Sequence, residues 1–272
     1  MIPKQSRRIR QVVLVSVSVV ALGAFLLSSR SVPRSDMLPS TKLAENATHG
    51  FAVMELFTSE GCSSCPPADE LLGEFVKKAD AEHLAIYPLS FHVDYWNSLG
   101  WQDHFSSAEF TERQSGYVNA MQLPSAYTPQ VIVNGNTEAI GSDRTKVSAL
   151  VNAGLSAPAA NSISLDKPSI DGSALTVTVH SSSSDDPIDP KRVINIAVVQ
   201  HLASTSVKRG ENVGRTLHHW NVVRAFKQVK ESSAQTVSFD LPADLRDPSS
   251  LSVIAYLQDR ATLKILAATA TQ

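Results

Sequence analysis

The middle of the chain alternates between short apolar runs and segments with helical periodicity. FAVMELF, residues 51–57, is short and almost uniformly apolar, which predicts a strand buried on both faces. Apolar side chains then recur three and four positions apart, which predicts a helix with one buried face: Leu71, Leu72, Phe75, Val76 and Ala79. LAIYPLSFHV predicts a second strand, and a helical pattern follows from Ser107, a candidate N-cap.

The next elements predict a hairpin and a third helix. QVIV and TEAIG flank the turn Asn134-Gly135-Asn136, and Asp143 precedes the helical segment RTKVSALVNAGL. A strand–helix–strand order favours parallel pairing with a right-handed crossover, whereas the hairpin is antiparallel. Residues 50–156 are therefore expected to form an α/β domain, with a mixed sheet and helices on both faces.

The C-terminal region has a different pattern. From residue 160 to residue 272, short runs such as ALTVTVHS and VINIAVVQ alternate with period two, which predicts an antiparallel β-rich, sandwich-like domain. The expected boundary is near Ala157-Pro158. Within this region GENVGRTLHHWNVVRAF supplies Arg215, His219 and Arg224. It either reaches the sheet edge that carries the cysteines or docks one domain on the other, and both interpretations stay open.

The N-terminal segment predicts export. A basic cluster precedes the uncharged apolar run VVLVSVSVVALGAFLL, and this order is typical of a signal peptide or an N-terminal anchor. Residues 1–30 are interpreted as one of these two, with residues 11–27 as the possible membrane anchor. Residues 31–49, rich in Ser, Pro and other polar types, are interpreted as a linker. The remainder is expected to be extracytoplasmic, either periplasmic or secreted, because positive charge stays on the cytoplasmic side.

Composition excludes some partners. The formal net charge is -2 and 43% of the residues are hydrophobic, so a globular core is expected and nothing favours binding to nucleic acid.

The two cysteines of the chain are the strongest chemical signal. They stand in EGCSSCPPADE, where Cys62 and Cys65 follow the first predicted strand and precede the first predicted helix. A helix N-terminus lowers the pKa of a thiol. Cys62 is the expected nucleophile, and Cys65 is expected to resolve the mixed disulfide. Pro66 and Pro67 disfavour helical backbone just before them, which predicts a late start of the helix.

Together with Tyr127-Thr128-Pro129 before a later strand, the C-x-x-C motif resembles the thioredoxin superfamily. That resemblance implies a cis peptide bond at Pro129, packed against the dithiol and shaping the docking of substrate.

Longer segments resemble a narrower family. ELFTSEGCSSCPPADELL, LSFHVDYWNSLGWQDHFSSAEFTERQ, YTPQVIVNG and RGENVGRTLHHWNVVRAF are similar to the DUF1223 family of bacterial secreted proteins, from about Phe51 to the end of the chain. The resemblance implies a thioredoxin-like fold, but it implies no established reaction.

The segment after the second strand supplies candidate binding residues. His92 and Asp94 alternate at the end of that strand, and aromatic side chains follow them. Substrate-binding roles are expected for His92, Asp94, Trp96 and Thr128. The alternative is a lid packed by its own aromatic side chains, in which His92 is hydrogen-bonded and chemically silent.

The expected function is thiol–disulfide exchange with a protein thiol or disulfide outside the cytoplasm, without a cofactor. Two alternatives stay open. One is a non-catalytic binding module that keeps a Cys62–Cys65 disulfide as architecture. The other is a copper or zinc carrier using Cys62, Cys65 and His92, because thiolates and imidazole suit these metals.

Overall fold

The computed structural model describes residues 50–183, 189–245 and 247–271. The predicted signal or anchor (1–30, with its apolar run 11–27) and the predicted linker (31–49) lie outside these ranges. Within these ranges, no helix has the length and apolar character needed to cross a membrane.

The described residues form a mixed α/β structure within one compact unit. The helices are α1 (Pro66–Glu82), α2 (Ala108–Ala120) and α3 (Arg144–Ser156). The strands, in chain order, are β1 (Ala52–Thr58), β2 (Ile86–His92), β3 (Gln130–Val133), β4 (Thr137–Ile140), β5 (Asn161–Leu165), β6 (Ser169–Asp171), β7 (Ala174–Ser183), β8 (Arg192–Ser206), β9 (Thr216–Lys230), β10 (Ala234–Asp240), β11 (Leu251–Asp259) and β12 (Ile265–Ala270).

The main sheet has eight strands in the order β12-β11-β8-β9-β2-β1-β3-β4. Strand β1 pairs parallel with β2 and antiparallel with β3, and β3–β4 is the predicted hairpin. The mixed sheet predicted for residues 50–156 is therefore confirmed.

Strands from both sides of the predicted boundary near Ala157 belong to the same sheet. Strand β9 continues the main sheet by pairing parallel with β2 at Ser90 and Val222, and β8, β11 and β12 extend that sheet further. Strands β10, β7 and β5 form a second, smaller sheet, with β6 beside β7. Local periodicity shows where strands occur, but their partners depend on long-range pairing that it does not encode.

Both faces of the main sheet are covered. Ala52, Met54 and Leu56 of β1 pack against α1 and α3, whereas Val53 and Phe57 pack on the other face with α2. At the other end of the sheet, β7 of the small sheet packs on β8, through Leu175, Val177, Val179, Ile194, Ile196 and Val198. The expected sandwich-like packing is present, but one of its layers is the main sheet itself.

Helix α1 begins earlier than the prolines predict. Pro66 and Pro67 occupy its first positions, and Cys65 is the N-cap with helical φ and ψ of -77° and -38°. Prolines are tolerated there because the first N–H groups of a helix have no intrahelical partner. The expectation of a late helix start is therefore wrong, and Cys65 lies directly at the helix N-terminus.

Candidate functional site

The candidate site lies at the edge of the main sheet where β1 and β2 end. Parallel strands bring their carboxyl ends to one edge, the usual place for a ligand crevice in an α/β sheet. Strand β1 leads into the loop that carries the cysteines. Cys62 and Cys65 form a disulfide with a Cα–Cα distance of 5.5 Å, and both residues are 0% exposed.

The two serines between the cysteines form the exposed tip of this loop. The Ser64 hydroxyl lies 3.3 Å from Cys62 Sγ. Cys65 is held in the first turn of α1, where its carbonyl accepts hydrogen bonds from the backbone N–H groups of Ala68 and Asp69. The two sulfurs therefore differ in surroundings: one faces an exposed hydroxyl and the other belongs to the buried face of a helix.

The predicted cis proline is present. The Thr128–Pro129 peptide bond is cis, and Pro129 is buried just before β3. Trp96 connects this loop with the disulfide loop, because its Nε1–H donates to Thr128 Oγ1 at 2.8 Å and its Cβ lies against Gly61. Trp96 and Thr128 are thus brought together, and their expected role in substrate binding stays a prediction.

The loop between β8 and β9, residues 207–215, reaches the disulfide. Asn212 is buried, and its Nδ2 donates to the carbonyls of Glu60 and Cys62, both at 2.9 Å. The Glu211 carboxylate accepts from the Ser63 backbone N–H at 3.0 Å. The segment therefore reaches the cysteines, and its strand part, β9, also docks on residues 50–156 by pairing with β2, so both interpretations hold.

Beside the disulfide lies a buried polar cluster, formed by Glu60, Asp69, His92, Asp103 and His219, each 0–3% exposed. His219 of β9 stands between two carboxylates: its Nε2 is 3.6 Å from Glu60 Oε1, and its Nδ1 is 3.6 Å from Asp69 Oδ2. These are ion-pair distances, longer than a hydrogen bond. The rings of His92 and His219 meet edge to face, with centroids 4.6 Å apart.

Asp103 accepts three hydrogen bonds within and around the buried polar cluster. Its carboxylate accepts from His92 Nδ1 at 2.7 Å and from the backbone N–H groups of Glu60 and Phe105. Burial raises the pKa of Asp103, but the charge of His92 and these hydrogen bonds lower it, and the net pKa lies below the ordinary value. Asp103 thereby fixes His92 and the start of the disulfide loop together.

His219 is the most strongly perturbed group of the cluster. Burial lowers the pKa of His219, but the neighbouring carboxylates of Asp69 and Glu60 raise it by more than burial lowers it. The net pKa is about 10. His219 is therefore an imidazolium at neutral pH.

Several atoms of the cluster have no hydrogen-bond partner among the described residues. They are Glu60 Oε1, Asp69 Oδ1, His92 Nε2 and both ring nitrogens of His219. Buried polar atoms are nearly always hydrogen-bonded, so this concentration of unpaired atoms next to the disulfide makes the cluster part of the candidate site.

The other predicted residues are placed as follows. His92 is buried and bound to Asp103, which fits the alternative of a hydrogen-bonded histidine rather than a groove-lining one. Asp94 turns towards α2, where its Oδ1 accepts from the Thr111 hydroxyl at 2.6 Å, away from the disulfide. The cysteines are paired in a disulfide, and the described ranges contain no group of three or more His, Cys, Asp or Glu side chains arranged to hold a metal. The copper or zinc alternative stays a prediction.

Sequence reasoning missed the carboxylates of this site and Asn212. From the sequence, Asp69 is expected to be an acidic residue in the first turn of a helix, where the helix dipole favours a negative charge. In the structure its side chain is buried. Glu60, Asp103 and Asn212 lie in turns, where polar residues are expected on the surface. His219 carried one signal: of the adjacent histidines 218 and 219 on a strand, one side chain must face inward.

The chain is similar to one protein family and to several solved structures. A family model described as protein of unknown function (DUF1223) matches residues 53–258. Protein AGR_C_4864 from Agrobacterium tumefaciens is 30% identical, with a TM-score of 0.57, over 81% of this chain and 96% of that protein. HBP35 of Porphyromonas gingivalis is 16% identical, with a TM-score of 0.56, over 82% of this chain and 75% of that chain, so it shows a shared fold alone.

Among curated proteins, none matches the chain. The family match covers most of the sequence and includes the disulfide loop, the cis-proline loop and the β8–β9 loop. The chain therefore belongs to the DUF1223 family of proteins of unknown function.

Proposed function

We propose that the protein carries out thiol–disulfide exchange with a protein thiol or disulfide outside the cytoplasm. The observation that carries this proposal is the disulfide at the N-terminus of α1, which is linked through Trp96 to a cis-proline loop and borders a buried cluster of titratable groups. A permanent staple between residues three apart contributes little stability, because a short loop loses little chain entropy on closure.

In this reaction Cys62 is the attacked and attacking sulfur, and Cys65 resolves the mixed disulfide. Ser64 supplies a hydroxyl to Cys62 Sγ, whereas Cys65 starts the helix. A hydroxyl and a helix N-terminus both favour a thiolate over a thiol. Since both cysteines are 0% exposed, the exchange requires the disulfide loop to open before a substrate sulfur reaches Cys62.

A thioredoxin-like fold for residues 50–156 is part of the same proposal. The order β1–α1–β2–α2–β3–β4–α3, with parallel β1 and β2 followed by an antiparallel hairpin, supports it. Export is inferred from the basic and apolar N-terminal sequence, and disulfides persist in compartments outside the cytoplasm.

One observation favours a second candidate function, a binding module with an inert disulfide. Full burial of both cysteines is what an inert disulfide requires, because exchange depends on access to a sulfur.

Single-cysteine variants separate the two candidates. Cys65→Ser leaves Cys62 as the lone thiol, and Cys62→Ser leaves Cys65. Each is incubated with glutathione disulfide, and the glutathione adduct is followed by mass spectrometry. The proposal predicts an adduct that forms on Cys65→Ser at least about tenfold faster than on Cys62→Ser. Equal rates, neither faster than that of an unperturbed thiol, would establish the inert module instead.

A further inference from the structure

We propose that a basic cleft beside the disulfide loop binds an acidic side chain of the protein substrate, close to the cysteine that reacts. The cleft has a volume of about 290 Å³. Two loops supply the residues that line it: Gly100, Trp101, Gln102, His104, Lys208 and Arg209. This inference rests on the proposed function, and it names the chemical character of a substrate that the proposed function leaves open.

The two loops that form the walls of the cleft also hold the disulfide loop. On one wall, Trp101 Nε1–H donates to Glu60 Oε2 at 2.7 Å. On the other wall, in the β8–β9 loop, the Glu211 carboxylate accepts from the Ser63 backbone N–H at 3.0 Å. A Cβ built at Gly210 would lie 3.2 Å from the Cβ of Trp101, so the two walls are in contact.

The cleft is close enough to the exposed tip of the disulfide loop to contact the same substrate. Arg209 is two residues before Glu211, and two residues span at most about 7 Å of extended chain. Glu211 is bonded to Ser63, the residue after Cys62. A substrate cysteine that reacts at Cys62 therefore has residues a few positions away within reach of the cleft.

The cations of the cleft and of the loop beside it are not neutralised by ion pairs. Among the described residues, Arg209 has no hydrogen-bond or ion-pair partner, and Lys208 Nζ donates only to the Ser206 hydroxyl. Arg215 donates to Asn212 Oδ1 at 3.1 Å and has no carboxylate partner in the same part of the chain. All three basic side chains are exposed.

The acidic groups of the two loops do not offset this charge. Residues 97–105 and 207–215 contain two carboxylates, Asp103 and Glu211. Asp103 is buried and bound to His92, and the Glu211 carboxylate is turned to the Ser63 N–H. Three positive charges thus stand beside one exposed negative charge.

A carboxylate is the ligand that this arrangement suits. A guanidinium binds a carboxylate through two parallel hydrogen bonds, and an ammonium adds a third donor group. The rings of Trp101 and His104 meet edge to face, with centroids 5.9 Å apart, and give the cleft a flat wall for the methylene groups of an acidic side chain. In a polypeptide substrate, aspartate and glutamate supply both parts.

The test oxidises the reduced full-length protein with three small disulfides of different charge. Dithiodipropionate carries carboxylates, cystamine carries ammonium groups, and hydroxyethyl disulfide is neutral. Cys62 attacks one sulfur of the small disulfide and releases a thiolate, and Cys65 then attacks Cys62 Sγ and releases the second thiolate. The protein dithiol is oxidised, the small disulfide is reduced to two thiols, and the two protein thiol protons pass to them through solvent. Alkylation and mass spectrometry follow the loss of the protein thiols.

Two double variants are compared with the wild type. Lys208→Gln with Arg209→Gln, the cleft variant, removes both cations that line the cleft. Arg260→Gln with Lys264→Gln removes one exposed arginine and one exposed lysine from the β11–β12 turn. The start of β12 is hydrogen-bonded to the turn of the β3–β4 hairpin, beside the start of β1, so this control lies at the opposite edge of the main sheet.

The measured quantity is the rate with dithiodipropionate divided by the rate with cystamine. At about 20 mM salt it is expected to be at least about fivefold lower in the cleft variant than in the wild type, because the attraction of the anion is lost. The control should stay within about twofold of the wild type, and all three proteins should react alike with hydroxyethyl disulfide. About 1 M salt should bring the ratios of the wild type and the cleft variant together.

A pair of peptide disulfides tests whether the ligand is a side chain of a polypeptide. The residue two positions from the cysteine is glutamate in one peptide and glutamine in the other. The wild type should react at least about fivefold faster with the glutamate peptide, and the cleft variant should not distinguish the two. A cleft that selects dithiodipropionate but not the glutamate peptide would overturn the assignment to an acidic protein substrate.

The remaining outcomes separate this inference from the proposed function. If hydroxyethyl disulfide reacts but the charge ratio is the same in the wild type and the cleft variant, or falls equally in the control, the cleft has no role while the proposed function stands. If no small disulfide oxidises the wild type faster than it oxidises an unperturbed thiol, the proposed function fails and this inference fails with it. If the cleft variant does not fold, Arg209→Gln alone takes its place, with a fall of at least about twofold expected and an unchanged ratio as the contrary result.

Discussion

His219 is a buried imidazole with a carboxylate on either side, and its protonation is tied to folding. The folded protein holds the His219 proton up to a pKa of about 10, whereas an unfolded histidine loses it near its ordinary value of 6.5. Between these values the native state binds more protons than the unfolded state, so the stability that the imidazolium supplies is lost as the pH rises. Below pH 6.5 this contribution is complete.

The first prediction concerns this pH dependence. The free energy of unfolding should fall from pH 6.5 to pH 10, by at most about 1.4 kcal/mol per pH unit from this group. His219→Gln should remove that slope and cost about 3–5 kcal/mol at pH 6, because two buried carboxylates lose their partner. Urea unfolding at several pH values measures both effects. His218→Gln, at the exposed neighbouring position, is the control, and an identical slope in His219→Gln would contradict the assignment.

At the scale of elements, α1 connects the disulfide with β9. Gly73 of α1 faces the indole of Trp220, and a Cβ built at Gly73 would lie 2.3 Å from Trp220 Nε1. A Cβ built at Gly116 of α2 would have no other atom within 4 Å among the described residues. Gly73 and Gly116 therefore differ in the space available for a side chain, although alanine is the better helix former at both positions.

The second prediction uses this pair. Gly116→Ala should raise the free energy of unfolding by up to about 1 kcal/mol. Gly73→Ala should lower it by about 1–3 kcal/mol, because the overpacked Trp220 must move. Denaturant unfolding of both variants gives the comparison. A stabilising Gly73→Ala would show that α1 and β9 do not pack as closely as described.

The β8–β9 loop is the element that holds the disulfide loop shut. Asn212 donates to the carbonyls on both sides of Gly61. Removing its side chain takes this donor from the buried Glu60 carbonyl and leaves the Cys62 carbonyl with the backbone N–H of Cys65. The third prediction is that Asn212→Ala lowers the free energy of unfolding by about 1–3 kcal/mol. It should also speed reduction of the Cys62–Cys65 disulfide by dithiothreitol several-fold, because the loop opens more often.

The control for this variant is Val213→Ala, since Val213 is 61% exposed. It should change neither stability nor the rate of reduction. Equal reduction rates in the wild type and Asn212→Ala would mean that the β8–β9 loop does not govern access to the cysteines.

The elements differ in how far the sequence predicts them. The alternation of apolar runs indicates β1, α1 and the β3–β4 hairpin. The C-x-x-C motif indicates the disulfide loop, and the resemblance to the thioredoxin superfamily implies the cis bond at Pro129. The pairing of β9 with β2 could not be predicted, because it joins residues more than a hundred positions apart. Asn212 and His219 reach the site only through that pairing. Their place in the site therefore could not be predicted from the local sequence pattern.

At the scale of the whole molecule, a second buried charge network joins the parts of the chain on the other face of the sheet. Arg113 of α2 forms two hydrogen bonds to Glu55 of β1, at 2.8 and 2.7 Å, and donates to Tyr256 of β11 at 3.0 Å. Tyr117 also donates to Glu55. The network therefore connects residues 50–156 with the strands that were expected to form a separate domain.

The fourth prediction tests this connection. Arg113→Met should cost about 3–5 kcal/mol in unfolding free energy, because Glu55 is left buried without its cation. The double variant Glu55→Gln with Arg113→Met should be more stable than Arg113→Met alone, since no charge remains unpaired. Calorimetric unfolding is expected to show one transition in every variant. Two separate transitions in the wild type would contradict a single cooperative unit.

The central claim is that the Cys62–Cys65 pair exchanges electrons with other thiols rather than serving as a fixed part of the fold. Its most direct test is the reduction potential of the pair in the full-length protein, determined by equilibration with dithiothreitol buffers of known ratio. The account predicts a potential above about -300 mV, because structural disulfides lie below that value. A potential well below about -300 mV, with a Cys62 thiol of ordinary acidity, would contradict it.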